Sequence, residues 1–354
     1  MSQRATPASS LHSPVLLSRC LDLLAPAIED SAAGRPPVLI DATLGMGGHA
    51  EGALERFPTV QVLGIDRDPE AIALAGERLA RFGQRFRAVQ ATYDRIDEVA
   101  ASAGGAVDAV LMDLGVSSLQ LDEAARGFSY ARPAQLDMRM DQSAAATAQD
   151  ILDTANAAEL TRILRIYGEE RYAPRIAAAI IARREAGDPV TSTDALAELV
   201  RQAIPAPARR TGGHPAKRTF QALRVAVNTE LEILERAVPR ALNCLRVGGR
   251  LVVESYQSLE DRIVKRVLAL GAASRAPDGL PIVPDSDRPY LKLLTHGAER
   301  AGAAEKARNP RSAPVRLRAA MRTRPADQAP APEPAHDRTT SNQHTPCTRG
   351  RRNR

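Results

Sequence analysis

Short apolar runs alternate with helical patterns along the first third of the chain, and this alternation limits the fold more than any other feature. "PVLIDA" (37–42), "VQVLGIDRD" (60–68), "FRAVQ" (86–90) and "VDAVLMDLG" (107–115) read as strands. "HAEGALERF" and "PEAIALAGERLARFG" lie between them with helical spacing, the second opened by Pro69 and closed by Gly83. Strands separated by helices of this size predict βαβ units, a parallel sheet, and a ligand at the carboxyl ends of the strands.

The alternation stops near residue 121. "AAELTRILRIYG", "RIAAAIIARREAG" and "TDALAELVRQAI" carry helical periodicity only, and strand signals return at "GGRLVVESY" (248–256), then weakly at "YLKLL" (290–294) and "VRLRAAM" (315–321). The expected organisation is a loose N-terminus (1–12), a first core part (13–120), a helical insertion (121–212), a second core part (213–321) and a disordered Arg- and Pro-rich tail (322–354). No run of 18 uninterrupted apolar residues and no signal peptide is read, so no membrane contact is expected.

Between the first strand and its helix lies "IDATLGMGGHAEG" (40–52). Gly45, Gly47 and Ala50 satisfy the relaxed G-x-G-x-x-G/A pattern, and Asp66 stands at the end of the second strand, where an acid accepts hydrogen bonds from ribose hydroxyls. Dinucleotide and S-adenosylmethionine sites share both features. Three details favour the methyl donor. Asp41 beside the loop would repel a pyrophosphate but attract an ammonium or sulfonium. Only one clear mononucleotide half precedes the insertion, whereas a dinucleotide needs two. Asp113 ends the fourth strand and adds a third carboxylate to the same crevice. His49, at the helix start, reads as a cap or solvent residue with no metal cluster around it.

Composition narrows the partners. Of the six net positive charges, four lie in residues 321–354, which hold seven Arg against three acids. The remaining body is nearly neutral, so any nucleic-acid footprint must be local. Aromatics are 3% with no Trp, which argues against a surface of several stacking rings. Cys20, Cys244 and Cys347 show no paired ligand spacing, which argues against a disulfide scaffold or zinc module and fits a reducing cytoplasm.

Longer stretches carry a resemblance. "HSPVLL" (12–17), "DATLGMGGHAEGAL" (41–54), "GIDRDPEAI" (64–72), "DAVLMDLGVSSLQLDEAARGFSY" (108–130), "LDMRMD" (136–141), "YGEERYAPRIAAAI" (167–180), "HPAKRTFQALRVAVNTEL" (214–231) and "SLEDRIVKR" (258–266) occur in order. Together they resemble the bacterial 16S ribosomal RNA cytosine-N4 methyltransferase family (RsmH, formerly MraW) over about residues 12–320. The resemblance implies a class I S-adenosylmethionine-dependent α/β fold of Rossmann-like type, its sheet interrupted by a helical substrate-recognition insertion. It further implies N4-methylation of a P-site cytidine of 16S rRNA in the small ribosomal subunit. Carried over by position, the donor site falls on Gly47, Gly48, His49, Asp66, Tyr93, Asp113 and Gln120, with Asp41 added from the charge reading. Two departures stand out: the common "SFHSLEDR" is "SYQSLEDR" here, with Tyr256 and Gln257, and Tyr93 replaces a common Phe.

Cytosine N4 is a poor nucleophile because its lone pair is delocalised, so catalysis must place it in line with the methyl group and accept hydrogen bonds from its hydrogens. "DLGVSS" (113–118) lacks the Pro-Pro-aromatic signature of many amino methyltransferases, leaving Asp113 as the candidate acceptor. In the stretch 214–234, Phe220, Leu223, Val227, Leu231 and Leu234 share a helical face toward the core, whereas Lys217, Gln221, Arg224 and Asn228 share another. Arg139 reads either as a structural ion pair or as part of an RNA entrance. The expected RNA-contacting set is Arg139, Lys217, Arg218, Arg224, Asn228 and Ser255. A nicotinamide oxidoreductase and a non-catalytic RNA-binding assembly factor are the alternatives; binding of S-adenosylhomocysteine but not NADH separates the first, and methyl transfer the second. Monomer and homodimer both remain open.

Overall fold

The computed structural model describes residues 14–31, 34–210, 213–277, 279 and 282–325. The expected loose N-terminus and nearly all of the expected tail lie outside these residues. Seven strands form one sheet: β1 (Val38–Asp41), β2 (Gln61–Asp66), β3 (Phe86–Gln90), β4 (Val107–Asp113), β5 (Leu245–Ser255), β6 (Leu291–Leu293) and β7 (Arg316–Arg322). Their order is β3-β2-β1-β4-β5-β7-β6, with β1 to β5 parallel and β7 antiparallel to both neighbours. The chain reverses direction across the sheet between β1 and β4, which opens a crevice beyond their carboxyl ends.

The central strands are apolar almost throughout because both faces are covered. Leu39, Val62, Leu111 and Val252 face one layer, made by α1 (Leu17–Glu29), α2 (Gly48–Arg56) and α3 (Pro69–Leu79). Ile40, Ile65, Met112 and Val253 face the other. That layer contains α4 (Ile96–Ala101); α11 (Glu230–Cys244) and α12 (Ser258–Ala272) complete it after the insertion. At the head of α3, Asp68 caps the helix by accepting from Glu70 N, and Pro69 occupies the first turn.

The insertion runs from α5 (Ser118–Asp122) through α6 (Ala148–Thr154), α7 (Ala157–Gly168), α8 (Ala173–Glu185) and α9 (Thr193–Ala203). It has its own apolar cluster, and that cluster includes Phe220, Ala222 and Leu223 of α10 (Lys217–Asn228). α10 packs so closely on α7 that a Cβ at Gly168 would lie 2.6 Å from the Arg218 carbonyl oxygen. The expected boundary at 212/213 therefore moves to the break between α10 and α11, where Thr229 takes φ 49°. The single helical face expected across 220–234 is correspondingly split between two helices and two cores. The expected tail also begins too early: Arg322 belongs to β7 and is fully buried, donating to Leu242 O. A last short helix, α13 (Ala303–Arg308), precedes β7. Among the described residues, no helix is long and apolar enough to cross a membrane.

Candidate active site

Four adjacent parallel strands carry an acid at or near their carboxyl ends. Asp41 ends β1, Asp66 ends β2, Asp113 ends β4 and Glu254 is the penultimate residue of β5. Beside them lies a cavity of about 640 Å³. Six of the residues expected to hold the donor line it: Gly48, His49, Asp66, Tyr93, Asp113 and Gln120.

Asp66 accepts from Gly45 N at 2.8 Å and Asp68 N at 2.9 Å, one bond on each carboxylate oxygen. Each oxygen keeps a second lone pair for a hydroxyl. The Tyr93 ring stands on the wall in a short turn after β3, its hydroxyl donating to Glu230 O at 3.3 Å. Burial holds that hydroxyl well above its usual range, so it stays a neutral donor. Gln120 lines the cavity but spends its amide elsewhere: it donates to Asp68 at 3.0 Å and accepts from Ser117 N.

Asp41 and Gly47 stand one layer behind. Asp41 is buried and off the cavity wall, with Thr43 N at 3.3 Å on one oxygen and no partner on the other. Burial pushes its carboxyl up to about 6, opposed by nearby His49. Direct contact with a ligand cation, expected from sequence, thus gives way to a field exerted through the wall. Gly47 takes φ 78° to start α2, and a Cβ there would press on Leu79 at 3.0 Å; its glycine serves the turn.

His49 is neither cap nor solvent residue. It is buried, with Nε2 3.0 Å from Val15 O and 3.4 Å from Glu254 Oε2, and Nδ1 3.7 Å from Asp113 Oδ2. The expectation of no metal-ligating neighbours is also overturned: Cys20 and Glu254 offer ligand atoms within 4.8 Å of it and of each other. Sequence spacing misses this because α1, α2 and β5 supply one residue each. Asp113, beside the Tyr256 hydroxyl, has one oxygen without a partner, and burial raises its pKa.

Beyond Asp113 the cavity enters the insertion. Tyr130 stacks on His214 at 4.3 Å with an interplanar angle of 11°, and meets Phe220 edge-on at 5.5 Å. Tyr130, Phe220 and Lys217 line this end. The low aromatic content concealed a local concentration, since Tyr130 and Phe220 come from distant segments.

Several expected RNA contacts are otherwise engaged. Arg139 is bidentate to Asp137 at 2.9 and 2.7 Å and donates to Gln142 O and Ala144 O, which resolves it as a structural ion pair. Arg224 lines the cavity but is bidentate to Glu230 at 2.8 and 2.9 Å. Asn228 is buried, donating to Met138 O and accepting from Met140 N, so it clasps the "LDMRMD" loop. Arg218 donates to Glu169 O away from the cavity, and Ser255 is buried off its wall. Arg126, missed from sequence, fastens the same loop: fully buried, it pairs with Asp68 at 2.8 Å and donates to Met140 O. Across the mouth, Arg311 pairs with Asp122 at 2.6 Å.

The residues fit S-adenosylmethionine. Asp66 has lone pairs for a ribose, Tyr93 has a flat face for adenine, and the unpartnered Asp113 oxygen and the Asp41 field favour a cation. The model of the MraW methylase family matches residues 9–323. The "Ribosomal RNA small subunit methyltransferase H" of Beutenbergia cavernae is 64% identical over 333 residues, 94% of this chain and 98% of that one. Its namesakes from a Nocardioides species and Kocuria rhizophila are 58% and 56% identical over 313 and 319 residues, covering 88% and 90% of this chain and 97% and 96% of theirs. A likeness of this depth leaves no place for the nicotinamide reading, and the chain belongs to the MraW methylase family as an S-adenosylmethionine-dependent methyltransferase.

Proposed function

We propose that this chain methylates N4 of a P-site cytidine of 16S rRNA, and that it acts in the cytoplasm on the small ribosomal subunit. The observation that carries the reading is one cavity with two unlike ends joined at Asp113: carboxylates of the sheet at one end, Tyr130, Phe220 and Lys217 of the insertion at the other. Bound S-adenosylmethionine supplies an electrophilic methyl group on a sulfonium. Asp66 takes the ribose hydroxyls on its remaining lone pairs, and Tyr93 covers the adenine. Asp113 accepts a hydrogen bond from the cytosine amino group, and its raised pKa makes it a stronger proton acceptor than an exposed aspartate. Tyr130 offers a face on which an extruded base stacks.

The guanidiniums of Arg126, Arg139 and Arg224 are already paired within the protein. With a nearly neutral body, recognition rests on the shape of the assembled subunit more than on bulk attraction to RNA. Tritiated methyl transfer into small subunits that lack the modification, followed by mapping of the product, tests this. The expected product is one N4-methylcytidine per subunit, with a short RNA oligonucleotide a far poorer substrate. Equal transfer to the oligonucleotide overturns the subunit reading, and a methyl group on another atom overturns the assigned chemistry.

A further inference from the structure

Cys20 of α1, His49 of α2 and Glu254 of β5 meet beneath the donor end of the cavity, at 0%, 6% and 0% exposure. Neither oxygen of Glu254 has a well-formed hydrogen bond; the Cys20 thiol and His49 Nε2, 3.4 Å from Oε2, are the polar groups turned toward it. A wholly buried carboxylate in that condition is expensive unless it is protonated or compensated by a cation. Its cross-strand neighbour Asp113 is a second acid and cannot supply the cation.

We propose that Cys20, His49 and Glu254 form a structural site for a divalent ion of the zinc class. One sulfur, one imidazole nitrogen and one carboxylate oxygen suit zinc, whereas calcium and magnesium ask for a shell of oxygens. Zinc bonds of about 2.0–2.1 Å at a tetrahedral angle set nitrogen and oxygen ligands roughly 3.3–3.4 Å apart. His49 Nε2 and Glu254 Oε2 are 3.4 Å apart. All three ligand atoms fall within 4.8 Å of one another, so closure asks mainly for Cys20 to draw in. Val15 O, 3.0 Å from Nε2, stands next to the site as a candidate fourth ligand.

Binding releases the Cys20 thiol proton and any proton on Glu254. It also exchanges the Nε2–H bond to Val15 O for a metal–nitrogen bond, leaving the remaining imidazole proton on Nδ1. That nitrogen faces Asp113 Oδ2 at 3.7 Å, the arrangement in which a carboxylate orients a metal-bound histidine. The ion would tie α1, α2 and β5 together and fix His49 against the acid at the middle of the cavity. It acts on position, not on the reacting atoms.

Cobalt(II) added alone to the chelator-treated full-length chain tests the site. One equivalent is expected to give the visible bands of a four-coordinate ion and a thiolate-to-cobalt charge-transfer band. Cys20→Ser should abolish the charge-transfer band, Cys244→Ser should retain it, and Glu254→Gln should weaken binding tenfold or more. Circular dichroism of each variant separates loss of the site from loss of the fold, and Cys244→Ser reports on a folded protein whatever happens to the others. Absence of stoichiometric bands in the wild-type chain overturns the proposal, as does a charge-transfer band that survives in folded Cys20→Ser.

Discussion

Strand β4 carries a buried or half-buried aspartate at each end, and the protein treats the two oppositely. Asp108, near the amino end, is saturated: Ser31 Oγ, Val38 N, both terminal nitrogens of Arg35 and Arg246 Nε all donate to it. Asp113, at the carboxyl end, has an orphan oxygen. The flanking strands repeat the contrast, because β1 ends in half-satisfied Asp41, and β5 carries Arg246 near its start and Glu254, with no well-formed hydrogen bond, near its end. A buried carboxylate is stable where donors surround it and costly where they do not. The ligand end of the sheet carries that cost, and the field that results favours a positively charged donor.

The largest expected effect lies at the saturated end. Asp108→Ala removes the acceptor for two guanidiniums and one backbone N–H, and should cost about 4 kcal/mol of unfolding free energy in a urea titration. The opposite sign is expected across the sheet. Asp41 is raised from 3.8 to about 6 in the folded chain, so the folded state binds the extra proton. Below pH 4 both states are protonated and the penalty is absent; as pH rises to about 6 it grows to roughly 3 kcal/mol and then levels off. Asp41→Asn should therefore raise the Tm of the chelator-treated chain at pH 8 and lose that advantage near pH 4; equal melting at both pH values would break the contrast. The smallest effect is expected at Asp66, which shares the ligand end but is satisfied by two backbone donors. Asp66→Asn should weaken S-adenosylhomocysteine binding about tenfold by calorimetry, near 1.4 kcal/mol.

All seven strands were legible as short apolar runs, most plainly β1, β2 and β4 and the second half of β5, which are buried on both faces, and less plainly β3, β6 and β7, which are partly exposed. The strand-end acids Asp41, Asp66 and Asp113 were legible because a strand end fixes where its last side chain sits, whereas Gly48, His49, Tyr93 and Gln120 came only from the family resemblance. The insertion was read less well. Lys217, Gln221, Arg224 and Asn228 do share a helical face, but periodicity does not show what stands opposite, and Glu230 and the 136–141 loop already occupy it. Arg139 fell to an acid two residues away. Arg126 and the Cys20–His49–Glu254 cluster gave no local signal, because their partners come from remote segments brought together only by the folded sheet.

β4 and β5 are neighbours in the sheet, yet residues 114–244 lie between them. Closing such a loop as a free chain costs about 2 kcal/mol more than closing one of fifteen residues. The insertion has its own apolar cluster and can shorten the gap by folding first. During synthesis, β1 to β4 emerge as a half-sheet whose β4 edge has no partner until more than a hundred further residues have followed. The segment proposed to meet the substrate is thus also the spacer that governs how long the nascent chain displays an open edge.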